Sequence, residues 1–119
     1  MALKPSYNDK LHLPGLSKTE ILILALEASQ KLEWNIEEVT PEGARFEVPF
    51  NMYSHGEEIT FAIEPGSDGE VAVRSQSSSV QFVDYGKNRK NIQKLRETME
   101  EIKTSLTPEE LTQKAKDFE

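Results

Sequence analysis

The chain has 119 residues, close to the length of one ordinary domain of roughly 150 residues. It contains no cysteine, which excludes disulfide bonds, thiolate metal sites and cysteine nucleophiles. Its net charge of −7, from 14 basic and 21 acidic residues, argues against nucleic-acid binding, which requires a basic face.

Residues 1–16 contain two prolines and no sustained hydrophobic period, which predicts an irregular leader. The longest apolar run, Ile21 to Leu26, has six residues, far fewer than the roughly 18 of a membrane span. No basic segment and cleavage site precede it, as a signal peptide would require. We therefore expect a cytoplasmic protein without a membrane span.

A helix is predicted from Lys18, because Ser17 to Glu20 form a Ser-x-x-Glu capping box. Apolar residues then recur at spacings of three and four, at Ile21, Leu24, Ala25, Ala28 and Leu32. Further apolar residues widen this stripe, so we expect a helix that is buried on more than one side.

After this helix the hydrophobic period changes to two, which predicts strands. Four such segments follow, separated by two turns and one longer loop, at residues 34–39, 44–50, 58–64 and 70–77. Consecutive strands with mostly short links favour an antiparallel meander.

The last third is predicted to be helical. One seam of residues spaced by three and four indicates a long amphipathic helix and consists of Tyr85, Asn88, Ile92, Leu95, Met99, Ile102 and Leu106. A Thr-Pro-Glu-Glu cap at residues 107–110 then starts a short terminal helix, which occupies residues 107–119.

The predicted fold class is α+β. We expect a two-layer sandwich in the order α-β-β-β-β-α-α, with a four-stranded antiparallel sheet and the helices on one face. A single domain spans residues 17–106, between the leader and the terminal helix.

Few residues point to catalysis. His12 and His55 lack metal-ligand spacing, so no metal site is expected, and the absence of nucleotide-binding and hydrolase motifs indicates no cofactor. The acid pairs Glu37–Glu38 and Glu57–Glu58 are interpreted as solvated strand ends, because strand neighbours point to opposite faces. We expect that the protein is not an enzyme.

A catalytic alternative requires Asp84, His55 and Tyr85 to meet in space.

The most unusual segment spans residues 74–96. Ser75 and Ser77 continue the strand face of Val71 and Val73, so hydroxyl groups follow on the core side. Asp84 and Gly86 then form a structural motif before the long helix.

The charges of the long helix are reversed relative to the helix macrodipole, which favours acids near the N-terminus and cations near the C-terminus. The first half contains the cations Lys87, Arg89, Lys90, Lys94 and Arg96, and the second half contains the acids Glu97, Glu100 and Glu101.

Three explanations remain open. An anion site would use the strand end and the helix start, namely Ser75, Ser77, Lys87, Asn88 and Arg89. Alternatively, two copies of the helix pair antiparallel, so that the basic half of one faces the acidic half of the other. In the third explanation, Ser75, Ser77, Asp84 and Asn88 form a satisfied hydrogen-bond network and the basic face is solvated.

This segment resembles the closing signature of the bacterial domain-of-unknown-function family 1499. The matching residues are Val73-Arg74-Ser75-Gln76-Ser77 and Asp84-Tyr85-Gly86-Lys87-Asn88-Arg89, followed by Ile92 and Leu95-Arg96. Ser78 departs from the signature, which has arginine there. The Asp-x-Gly-Lys-Asn segment is also similar to small soluble domains of Bacteroidetes-type bacteria. The resemblance implies a bacterial origin and a shared structural motif without a known activity.

We therefore expect a small non-catalytic protein-interaction module, whose partner is an unknown protein or a second copy of the chain. The alternative is a module that binds an anion or small ligand at the strand-end serines and the helix start.

Overall fold

A computed structural model describes residues 5–49, 56–77 and 86–118. These residues form eight elements in the order β1 (Ser6–His12), α1 (Lys18–Lys31), β2 (Asn35–Thr40), β3 (Gly43–Val48), β4 (Glu57–Ile63), β5 (Glu70–Ser77), α2 (Lys87–Ser105) and α3 (Pro108–Phe118). All strand pairs are antiparallel, and the sheet order is β1-β5-β4-β3-β2. The predicted α+β class and antiparallel sheet are confirmed.

The prediction of a four-stranded sheet is wrong, because β1 adds a fifth strand within the segment expected to be irregular. β1 pairs with β5 along its whole length, from Ser6 opposite Gln76 to His12 opposite Glu70. Its inward positions are Tyr7, Asp9 and Leu11, and only Leu11 is fully buried. An edge strand with an acid on its inward face shows no alternation of apolar and polar residues, which explains why the sequence pattern does not indicate it.

The first helix crosses beneath the sheet. The chain leaves β1 at one edge, passes through α1 and enters β2 at the opposite edge, and the meander β2 to β5 then returns to β1. The predicted capping box is confirmed, since the Glu20 backbone N–H donates to Ser17 Oγ (3.1 Å) and the Ser17 N–H donates to Glu20 Oε1 (2.8 Å). α1 therefore begins at Lys18, as predicted.

One face of the sheet packs against α1 and α2 to form the core. The largest fully buried side chains of the sheet are Phe46, Phe61, Ile59, Val71 and Val73. α1 is buried along almost its whole length between the sheet, α2 and α3, as its wide apolar stripe predicts. The helices of the described ranges include none with the length and apolarity to cross a membrane.

The turn between β4 and β5 holds the segment that follows β1. The Leu13 backbone N–H donates to the Gly69 carbonyl (2.8 Å), and the Gly15 N–H donates to Asp68 Oδ1 (3.0 Å). Gly69 has a φ of 75°, and a Cβ atom there would overlap the carbonyl oxygen of Leu13. Gly66 in the same turn has a φ of 73° with open space around it.

We predict that Gly69→Ala lowers the free energy of unfolding more than Gly66→Ala does. Both substitutions force alanine into the left-handed region at about 1 to 2 kcal/mol. Only Gly69→Ala also displaces the backbone at Leu13, which should add about 1 kcal/mol or more. Urea unfolding of the two variants measures the difference, and equal losses would show that the turn does not hold this segment.

Candidate functional site

A buried polar cluster lies where β4 and β5 meet the first two turns of α2. Its side chains belong to Glu57, Ser75, Ser77, Asn88 and Asn91, and none exposes more than 6% of its surface. Buried polar groups are costly unless they are hydrogen-bonded, so the contacts within this cluster determine whether the packing is stable.

Asn88 is at the centre of the cluster. Ser75 Oγ donates to Asn88 Oδ1 (2.7 Å), and Asn88 Nδ2 donates to Ser77 Oγ (3.1 Å) and to the Pro5 carbonyl (3.2 Å). One amide therefore joins the end of β5, the start of α2 and the residue before β1.

Asn91 extends the cluster to β4. Its Nδ2 donates to Ser75 Oγ (3.3 Å) and to Glu57 Oε1 (2.9 Å). Asn88 and Asn91 are three residues apart on α2, a spacing that places both side chains on the same side of a helix. The amides thus follow the buried seam that Ile92 and Leu95 continue.

Local sequence explains this arrangement. The inward positions of β5 change from Val71 and Val73 to Ser75 and Ser77 towards its end, and all four are buried. The first two turns of α2, which contain Asn88 and Asn91, pack over the two serines. Hydroxyl groups therefore meet amides, and the residues of the predicted hydrogen-bond network come together at Ser75, Ser77 and Asn88.

The predicted anion-site residues are only partly brought together. Lys87 is half-buried and Arg89 is exposed, and neither donates a hydrogen bond to Ser75 or Ser77. Gly86 is the N-cap of α2 with a left-handed φ of 76°. Asp84, predicted to belong to the same motif, lies outside the described residues, as do His55 and Tyr85 of the catalytic alternative.

The interpretation of Glu57 as a solvated strand end is wrong. Glu57 is 3% exposed, whereas Glu58 is exposed as expected. The sequence signal is the alternation of β4, which places Glu57 on the same inward face as Ile59, Phe61 and Ile63. Asn91 was likewise missed, although it lies three residues after Asn88.

Some of the charged side chains of α2 form ion pairs within the described residues, and others do not. Arg96 Nη2 forms an ion pair with Asp9 Oδ2 on β1 (2.6 Å), and Glu101 Oε2 pairs with Lys31 Nζ on α1 (3.2 Å). Lys90, Lys94 and Glu97 are exposed and form no ion pair within the described ranges. Groups of three or more histidine, aspartate or glutamate side chains able to hold a metal ion do not occur in these ranges.

A comparison with known protein families finds one family model that matches most of the chain. The model of the family described as "Protein of unknown function (DUF1499)" matches residues 5–99, from β1 through most of α2. This match confirms the resemblance of the segment that contains Ser75, Ser77 and Asn88. No curated protein matches the chain.

We predict that Ser75→Ala destabilises the protein by about 1 to 3 kcal/mol, because Asn88 Oδ1 and Asn91 Nδ2 would lose a buried partner. Gln76→Ala, on the opposite side of the strand, is the matched control and should change stability by less than about 0.5 kcal/mol. Chemical denaturation of both variants measures this, and a neutral Ser75→Ala would mean that the hydrogen bonds add no net stability.

The hydrogen bond from Arg96, followed by that from the Lys10 backbone N–H, lowers the pKa of Asp9 below its ordinary value of 3.8. A lowered carboxyl pKa stabilises the fold above the unfolded-state pKa, and this contribution is lost as the pH falls through the folded-state pKa. We predict that Arg96→Gln raises the pKa of Asp9 and removes this stabilisation at neutral pH. The effect on stability should be small, because the Asp9 side chain is 37% exposed.

A carboxyl-detected NMR titration measures this pKa directly. Arg89→Gln is the control, because Arg89 contributes only the weakest of the interactions that lower the pKa of Asp9. An unchanged pKa in Arg96→Gln would contradict the role of the ion pair.

Proposed function

The chain belongs to DUF1499, a family of proteins of unknown function, and we propose that it is a non-catalytic protein-interaction module that pairs with a second copy of itself through α2. The supporting observation is a line of charges along the solvent side of this helix. We call it the α2 stripe, and its members are Lys90, Lys94, Glu97 and Glu101.

The α2 stripe has the geometry of a helix-pairing seam. Its residues follow one another at spacings of four, three and four, which keeps them on one side of the helix. All four are exposed, whereas Ile92, Leu95 and Met99 on the opposite side are buried in the core. The apolar side of α2 is therefore used within the domain. The charged side is exposed to a partner, and Glu101, which contacts Lys31 of α1, would share its charge between Lys31 and the second copy.

The order of charges is self-complementary. A two-fold axis beside the peptide bond between Leu95 and Arg96 places Lys90 opposite Glu101 of the second copy, and Lys94 opposite Glu97 of the second copy. The symmetry repeats each contact, so that the helix pair has four opposite-charge contacts.

Pairing would also relieve repulsion within the helix. Lys90 and Lys94 are four residues apart, as are Glu97 and Glu101, and like charges at this spacing destabilise a helix. The two lysines additionally lie in the half of α2 where the macrodipole disfavours cations. A second copy would bring acids to the two lysines and a lysine to Glu97, and it would add a second cation beside Glu101, which already contacts Lys31.

The expected association is weak. An exposed ion pair contributes about 0.2 to 1 kcal/mol and is screened by salt. Four such contacts together contribute at most about 4 kcal/mol, which corresponds to a dissociation constant on the order of 1 mM or weaker, together with strong salt dependence. The anion-binding alternative has less support, because the Ser75 and Ser77 hydroxyls are buried and hydrogen-bonded within the protein.

We predict that two charge-reversed variants associate only with each other. Lys90→Glu/Lys94→Glu makes the α2 stripe wholly acidic, and Glu97→Lys/Glu101→Lys makes it wholly basic. Each variant alone should be monomeric, whereas their mixture should recover the four opposite-charge contacts. Sedimentation equilibrium at low and at moderate salt measures all three samples.

A reversal of equal size away from the stripe, Lys18→Glu/Lys116→Glu, is the control for net charge and should associate like the unmodified protein. If the mixture sediments as monomers at low salt, pairing through the stripe is rejected.

A further inference from the structure

The face of the sheet opposite α1 and α2 contains a shallow trough. The outward residues Gly43, Ala62 and Ala72 are neighbours in register on β3, β4 and β5, so that three adjacent strands have no side chain beyond Cβ. A cavity of about 470 Å³ lies over the β4, β5 and β1 part of this row. Side chains that line it are Asn8, Lys10, Thr60, Ala62, Ala72 and Arg74.

The register of the strands explains the shape of the trough. The next outward row consists of Thr60, Arg74 and Asn8, which are opposite one another on β4, β5 and β1. Lys10 lies opposite Ala72 and closes the row at the edge strand. Two methyl groups thus form the floor, and longer polar side chains form the walls.

Alanine is depleted in strands, where β-branched and aromatic residues are favoured even on a half-exposed face. Paired alanines on two central strands therefore give up the cross-strand contacts that larger side chains would make. The small side chains at these positions leave room for a molecule to lie on the sheet.

Two cations of this sheet face, Arg45 and Arg74, form no ion pair within the described residues, and of the two only Arg74 lines the cavity. Lys10 Nζ forms an ion pair with Glu64 Oε1 at 3.1 Å. Arg74 is exposed and forms no ion pair with any residue of the described ranges. Its guanidinium presents a planar fork that matches a carboxylate, and the Thr60 hydroxyl and the Asn8 amide add uncharged hydrogen-bonding groups nearby.

We propose that this trough binds a small organic monoanion with a flat apolar body. The carboxylate lies on Arg74, and the apolar body lies on the methyl groups of Ala62 and Ala72. The volume is within the roughly 300 to 1,000 Å³ of small-molecule sites. This site is independent of the pairing of α2, because α2 packs on the other face of the sheet.

The test is amide NMR titration with benzoate, which combines a carboxylate and a flat apolar ring. Saturable shifts are expected at residues 8–10, 60–62 and 72–74. Acetate, which lacks the ring, and benzyl alcohol, which lacks the charge, should each bind about tenfold more weakly or worse.

Two variants separate the two halves of the site. Arg74→Gln should weaken benzoate binding by about tenfold or more, since it removes a charged hydrogen-bond partner. Ala72→Leu should abolish binding, because the larger side chain fills the trough. Lys18→Gln, at the start of α1 on the other side of the sheet, removes an exposed cation far from the trough and should leave the affinity unchanged.

Absence of saturable shifts would overturn the proposal. Undiminished binding to Ala72→Leu, or equal binding of acetate and benzoate, would also overturn it, because either result would describe a general attraction of anions to Arg74. A polypeptide that competes with benzoate and loses binding in Ala72→Leu would replace the small ligand with a protein segment as the occupant. The amide spectra also report whether each variant folds.

Discussion

The hydrogen bonds of the buried Asn88 amide fix how α2 packs against the sheet. This single group bonds to Ser75, to Ser77 and to the Pro5 carbonyl, and therefore joins β5, α2 and the start of β1. A rotation of α2 about its axis would leave buried polar atoms without partners, which costs more than the hydrogen bonds themselves contribute. The amide consequently determines which side of α2 contacts solvent, and the α2 stripe is exposed as a result.

The contact between α2 and β5 divides into a polar and an apolar half. Val71 and Val73 on the strand, with Ile92 and Leu95 on the helix, supply burial of apolar surface, which is strong but non-directional. The serines and amides supply directional contacts that only one register satisfies. Stability and uniqueness of the packing thus come from different segments of the same two elements, and Glu57 extends the directional part to β4.

Sequence reasoning succeeded where the determining signal is local. The capping box at Ser17, the meander from β2 to β5 and the seam of α2 each depend on residues close together in the chain. β1 was missed because its inward Asp9 is compensated by Arg96, which is 87 residues away. The trough was missed for a related reason, since Ala62 and Ala72 become neighbours only once the register of β4 and β5 is known. Glu57 is different, because the period-two alternation of β4 alone places it on the inward face with Ile59 and Phe61.

The position of β1 has a consequence for the order in which the molecule assembles. Within the described residues, β1 pairs with partners that lie far along the chain, with Ser6 opposite Gln76 and Asp9 held by Arg96. During synthesis it has no strand to join until β5 has formed, and loop closure over such a separation is slow compared with the local steps of the meander. β1 therefore enters the sheet only after β5 has formed, and until it does so the hydrogen-bonding edge of β5 is uncovered and can pair with another chain.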